Sequence, residues 1–259
     1  MSEQPIGIFD SGVGGTSIWK EIHELLPYEN TIYLADSINA PYGPKGKQAI
    51  IDLSIKNTEL LLDKDCKLIV VACNTATTNA ISLLRKKYKV PFIGIEPAIK
   101  PAAIHSKSKC IGILATKGTL ASELFHKTAN LYGNDTQIIE QEGEGIVELI
   151  ETGEIDSLEM DALLENYINP MKAANIDYLV LGCTHYPYLI PKLEQLLPKN
   201  VKIIDSGEAV AKQTKAILEQ EHLINSSEKK STTLFYTNGI PEVMKSLLEG
   251  DFNVDYLEF

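Results

Sequence analysis

The chain has 259 residues, 44% hydrophobic and 23% charged, a composition that builds a globular protein of one or two domains rather than a disordered or fibrous one. No apolar run approaches the ~18 residues of a membrane span, and 35 acidic against 24 basic residues leave a net charge of −11; neither a membrane nor nucleic acid is an expected partner. Cys66, Cys73, Cys110 and Cys183 are too scattered for a disulfide framework, and Cys183 with His185 matches no structural zinc spacing, so free thiols and no metal are expected.

The N-terminus, MSEQPIGIFD, lacks a basic segment followed by an apolar one, which points to a cytoplasmic location. IGIFD then reads as a strand, DSGVGG as a turn, and Ile18, Ile22, Leu25 and Leu26 as the apolar face of a helix. The pattern recurs in TIYLAD, with a helix expected from Gln48 to Leu62, and again in KLIVVAC with NTATTNAISLLRKKY. Continuous apolar strands alternating with amphipathic helices imply parallel sheets covered on both faces. After VPFIGIEPAIKPAA the order restarts at CIGILATKGTLASELF, and VKIIDSGEAVAKQTKAIL and TTLFYTNG extend it. The tail is expected to pack back on the first unit. That gives a discontinuous first domain, 1–97 plus 206–259, around a second, 98–205.

Two segments repeat at nearly one spacing. IGIFDSGVGG aligns with IGILATKGTL, from Ile6 to Ile111, and LIVVACNT aligns with YLVLGCTH, from Leu68 to Tyr178. An internal duplication explains both, and it places a cysteine at the end of a strand in each unit. Ligands of parallel α/β sheets bind beyond the carboxyl ends of the strands, so Cys73, Cys183, Asp10, Ser11 and Thr116 are expected around one shared cleft. The turn DSGVGG has neither the GxGxxG order nor a P-loop Lys-Ser/Thr, and Asp10 would repel a phosphate. Its backbone N–H groups, with those opening the helix at Asn74 and Thr75 and with Thr184 in the corresponding second place, suit the smaller carboxylates of an amino acid. Two equivalent cysteines, each with one polar partner, fit a reaction whose directions are mirror images. In racemisation, one thiolate removes a proton from one face and the other thiol returns one to the opposite face.

FDSGVGG, APYGPKG, VVACNTA, GIEPA and LGCTHYP, in this order over residues 6 to 210, together resemble bacterial glutamate racemases of the cofactor-independent aspartate/glutamate racemase superfamily. The resemblance implies two pseudo-twofold-related parallel-sheet α/β domains facing across a central cleft. It assigns Cys73 and Cys183 as catalytic acid/bases, Asp10 as support for Cys73, and His185 as support for Cys183, with Glu151 beside the second cysteine, Glu148 being the alternative. Ser11, Tyr42, Gly43, Asn74, Thr75, Thr116, Thr119 and Thr184, with Asp10 and His185, are implied in holding glutamate. It further implies that no cofactor is used, that the protein is a homodimer, and that its D-glutamate serves peptidoglycan synthesis. An aspartate racemase or a non-catalytic amino-acid binding protein remains the alternative reading of the same residues.

Overall fold

The computed structural model describes residues 2–133, 135–227 and 229–259. Among them are the strands β1 (Ile6–Asp10), β2 (Thr31–Ala35), β3 (Leu68–Val71), β4 (Phe92–Gly94), β5 (Cys110–Ala115), β6 (Gln137–Glu142), β7 (Tyr178–Gly182), β8 (Lys202–Ile204), β9 (Thr233–Thr237) and β10 (Val254–Tyr256). One sheet has the order β10-β9-β2-β1-β3-β4 and the other β6-β5-β7-β8, every pairing parallel. All residues of β1, β2, β3, β5 and β7 are buried, because helices cover both faces of each sheet. This is why these strands read as continuous apolar runs rather than alternating ones.

The helices are α1 (Thr16–Leu25), α2 (Lys47–Asp63), α3 (Asn74–Lys87), α4 (Ile99–His105), α5 (Lys117–Leu120), α6 (Glu123–Tyr132), α7 (Ile146–Glu151), α8 (Leu158–Ala173), α9 (Ile190–Leu196), α10 (Gly207–Gln220) and α11 (Pro241–Leu247). The tail returns to the first sheet through β9 and β10, and α10 packs along α1. There Trp19 meets the edges of Phe235 and Phe252, with ring centroids 4.7 and 5.1 Å away. Between the sheets the chain crosses twice, after β4 and after β8, and the Ser206 hydroxyl ties the crossings together by donating to the Glu96 carbonyl.

The repeat seen in the sequence survives as register. Ile6 lies opposite Leu68 in the β1/β3 pair, and Ile111 lies opposite Tyr178 in the β5/β7 pair. The order β2-β1-β3-β4 therefore matches β6-β5-β7-β8. The halves differ immediately after the cysteines. In the first, Cys73 caps α3, its carbonyl accepting from Thr77 N at 2.8 Å. In the second, Thr184 opens no α-helix. The residue corresponding to Thr77 is Pro187, which has no N–H to give Cys183, so the chain makes a 3₁₀ turn over Tyr186–Leu189 before α9 begins.

Candidate active site

Both cysteines line one cavity between the carboxyl ends of the two sheets. Ser11, Pro41, Tyr42, Gly43, Cys73, Asn74 and Thr75 come from the first sheet's side, and Thr116, Val147, Gly182, Cys183, Thr184 and His185 from the second's. Its volume is about 10 Å³, room for about one water molecule. Hydrogen bonds between the walls hold it closed: Thr184 Oγ1 donates to Asp10 Oδ2 at 3.0 Å, and the Thr75 and Thr116 hydroxyls meet at 2.9 Å. It adjoins a cavity of about 140 Å³ that shares Pro41, Gly43, Thr116 and Val147.

The Cys73 sulfur accepts from Ala76 N at 3.4 Å and donates to Ser11 Oγ at 3.6 Å. Burial pushes this thiol well above its ordinary range and the neighbouring Asp10 charge pushes it further, while the α3 N–H bond and Ser11 oppose both. Asp10 is fully buried, and burial raises its own pKa against the positive charge of His185. Its oxygens accept from Ser11 N at 2.7 Å and Gly15 N at 2.6 Å. The glycine-rich turn thus spends these N–H groups on the protein's own carboxylates, and Val13 N likewise donates to Glu151 Oε1 at 2.7 Å. The anion expected at this turn is the pair of side chains Asp10 and Glu151.

His185 lies with Nδ1 3.7 Å from the Cys183 sulfur and Nε2 2.6 Å from Glu151 Oε1. Gly14 N also approaches Nε2, at 3.3 Å. One ring nitrogen cannot both donate to a carboxylate and accept from an amide, and the much shorter Glu151 contact decides for an N–H at Nε2. Burial lowers the His185 pKa, but the bonds to Cys183 and Glu151 outweigh it and hold the pKa well above the ordinary value. Both bonds favour the doubly protonated ring, which presents Nδ1–H to the Cys183 sulfur. Close packing of the glycine turn makes room for this pair. A Cβ on Gly12 would fall 1.8 Å from Glu151 Oε1, and one on Gly14 would fall 2.6 Å from the His185 backbone nitrogen.

A pH effect follows from the ion pair. A histidine whose folded pKa lies above its unfolded value of about 6.5 contributes stability that is complete below that value and lost as pH rises through the folded pKa. Glu151→Gln removes the partner and lowers the folded pKa. The alkaline fall of both reaction rate and thermal midpoint is expected to move to lower pH, with the rate at pH 9 down about 10- to 100-fold. Initial rates and melting curves between pH 6 and pH 10 check this; an alkaline limb identical to that of the unsubstituted protein would exclude a His185 charge held by Glu151.

Of the residues singled out in the sequence, Ser11, Tyr42, Gly43, Asn74, Thr75, Thr116, Thr184 and His185 line the cavity with the two cysteines. Asp10, Thr119 and Glu151 stand behind it. Thr119 is fully buried and its hydroxyl lies 3.1 Å from that of Thr116 and 3.4 Å from that of Thr75, so it orients the lining threonines. Tyr42 lines the cavity, but its hydroxyl is committed elsewhere, donating to Asp36 Oδ2 at 2.5 Å and accepting from Asn57 Nδ2 at 3.1 Å. Glu148, the other glutamate of the segment, borders the adjoining cavity instead. Asp36 is not singled out in the sequence, although the apolar run TIYLA leads into it as IGIF leads into Asp10.

The Asp/Glu/Hydantoin racemase family profile matches residues 6–214. The chain belongs to this family. It is 42% identical to a glutamate racemase of Herpetosiphon aurantiacus over 93% of its own length and 95% of that protein's. The fold superposes on a glutamate racemase isoform of Bacillus anthracis with a TM-score of 0.88 and 28% identity, covering 100% of this chain and 98% of the other. For the Escherichia coli glutamate racemase, solved with L-glutamate and an activator, UDP-MurNAc-ala, the TM-score is 0.83 and the identity 33%, over 93% and 92% of the chains. Membership of this racemase family accounts for the two-walled fold around the paired cysteines.

Proposed function

We propose that this racemase interconverts L- and D-glutamate by proton transfer between Cys73, Cys183 and the α-carbon. The observation that carries the reading is the presence of both strand-end cysteines on opposite walls of one small cavity. A substrate α-carbon held between the sulfurs loses its proton to one thiolate and receives one from the opposite thiol, and the reverse reaction exchanges the roles. The two sequence units, 1–97 with 206–259 and 98–205, form the two walls, and the strand membership of the sheets supports that division.

Abstraction leaves negative charge beside a carboxylate, so fixed donors must meet it. The N–H groups of Asn74 and Thr75, which α3 cannot satisfy internally, and the hydroxyls of Ser11, Thr75, Thr116 and Thr184 serve this purpose. Asn74 Oδ1, buried and without a protein partner among the described residues, accepts from the substrate ammonium. His185 donates toward Cys183 as that sulfur becomes a thiolate. Asp10 exchanges the proton of Cys73, whose resting form is the thiol. No cofactor takes part in this scheme. Glutamate is several times larger than the closed cavity, so the bonds joining Asp10 to Thr184 and Thr75 to Thr116 part for entry.

Identity of 42% to a curated glutamate racemase supports glutamate over aspartate. A homodimer, a cytoplasmic location and supply of D-glutamate to peptidoglycan belong to the same proposal and rest on family resemblance; no helix among the described residues is long and apolar enough to cross a membrane. Metal-free and pyridoxal-free protein incubated with L-glutamate in deuterated water tests the reading, with aspartate as competitor. Rotation decaying to zero while deuterium enters the α-position is expected. Absence of exchange, or exchange with aspartate alone, would overturn it.

A further inference from the structure

We propose that Asn238, in the turn that follows β9, is a positioning residue for the catalytic cavity, acting through Asp36 on Tyr42. The inference rests on the racemase reading for its consequence in rate and on geometry alone for its structural part. Asn238 is buried, and each end of its amide has a role. Oδ1 accepts from Ile38 N at 2.9 Å, and Nδ2 donates to Asp36 Oδ1 at 2.7 Å and lies 3.3 Å from a main-chain carboxylate oxygen of Phe259. A flipped amide would set oxygen against carboxylate and NH₂ against N–H, so the orientation is determined by its partners.

Asp36 is fully buried and makes no salt bridge among the described residues. Three neutral side-chain donors hold it: Asn238, Asn39 Nδ2 at 2.9 Å, and the Tyr42 hydroxyl at 2.5 Å. Its main-chain N–H donates to the Asp10 carbonyl at 3.1 Å. A buried carboxyl group held by so few donors is sensitive to the loss of any one of them. Tyr42 and Gly43 line the cavity, and Gly43 meets the opposite wall: a Cβ on Gly43 would touch Thr116 at 3.3 Å, and one on Gly118 would reach the Gly43 carbonyl at 3.0 Å. Movement of Asp36 is therefore passed through Tyr42 into the contact that closes the cavity, where displacements well below 1 Å affect proton transfer.

Asn238→Asp separates this role from simple bracing of the tail. The variant keeps the shape and the acceptor for Ile38 N, but replaces the donor facing Asp36 with a second carboxylate. Around that pair stand Tyr42 and the main-chain carboxylate of Phe259 as titratable groups, Asn39 and Asn57 as neutral ones, and Asp10 and Cys73 beyond them. Two carboxylates at this distance share one proton when the pH falls, which restores a donor between them. Relative to the unsubstituted protein, kcat/KM is expected to fall about tenfold or more at pH 8, and the ratio is expected to recover as the pH is lowered. Asn238→Ala should show the fall without the recovery. Asn225→Ala, far from the cavity, serves as a control for general loosening. Hydrogen exchange supplies a readout independent of activity: the amides of Tyr42, Gly43, Lys45 and Gly46 should exchange faster in Asn238→Asp than in the control. Unchanged exchange there, or a pH-independent ratio near one, would overturn the inference. A protein that racemises no glutamate would sink the functional reading, and the exchange data would still decide the positioning role.

Discussion

Cys73→Ser and Cys183→Ser should each lower the rate of racemisation from either enantiomer by at least about 10³-fold, the upper range for a positioned acid/base. A serine hydroxyl holds its proton too tightly to supply the base, and one missing group interrupts both directions because each thiol is the base for one and the acid for the other. The fold should survive. At position 73 the side chain caps α3 by accepting from Ala76 N, and serine caps helices well, so the thermal midpoint of Cys73→Ser should equal or exceed that of the unsubstituted protein. Polarimetry started from pure L- and pure D-glutamate, with melting curves on the same samples, checks the claim. A hydrolytic or single-base site predicts something else: one variant nearly as active as the unsubstituted protein. That result would remove the two-thiol mechanism.

The second large effect lies at the other end of the first sheet. Lys67 and Glu29, with side chains only 1% and 2% exposed, form an ion pair at 2.6 Å. Lys67 also donates to the Ser2 carbonyl, and Glu29 Oε1 accepts from Asn225 N at 2.6 Å. This clasp joins the N-terminus, the turn before β2, the start of β3 and the segment that leads into β9. Lys67→Met leaves the Glu29 carboxylate buried without its cation and should destabilise the protein by about 3–5 kcal/mol. Adding Glu29→Gln removes the stranded charge while keeping an acceptor for Asn225 N, so the double variant should be more stable than Lys67→Met alone. Urea unfolding of the three proteins measures this, and a single variant as stable as the parent would refute it. The racemisation rate at low temperature should be nearly unchanged, because β3 separates Lys67 from Cys73 by about 20 Å of extended chain.

Much of the architecture was legible because it depends on local apolar runs. IGIF and LIVV are apolar at every position, and such runs, bounded by turn residues and followed by amphipathic helices, occur where parallel strands are covered on both faces. The duplication was legible for the same reason, since Gly7 and Gly112 keep their places in matching strands, and Cys73 and Cys183 keep theirs just after matching strands. What could not be read was the use of polar groups whose partners lie far along the chain. The N–H groups of the turn DSGVGG suggested a ligand carboxylate, whereas Val13 N meets Glu151, 138 residues away, and Gly15 N meets Asp10. Pro187, by contrast, was an available local signal that the second half would not copy the first after its cysteine.

The alternation of strands and helices, the repeat and the two strand-end cysteines could be read along the chain, because they follow from short-range pattern and covalent order, and the resemblance of five motifs pointed to the racemase family. Which side chains are free to meet a substrate, and which are already engaged, emerged from the folded arrangement alone. It put the Tyr42 hydroxyl on Asp36, made Thr119 a support for Thr116, paired Glu151 with His185, and joined Asn238 to Asp36 across some 200 residues of chain. The physical reason is that a buried donor or acceptor is satisfied by whatever the fold brings within about 3 Å, and that neighbour is set by the packing of the sheets rather than by separation along the chain.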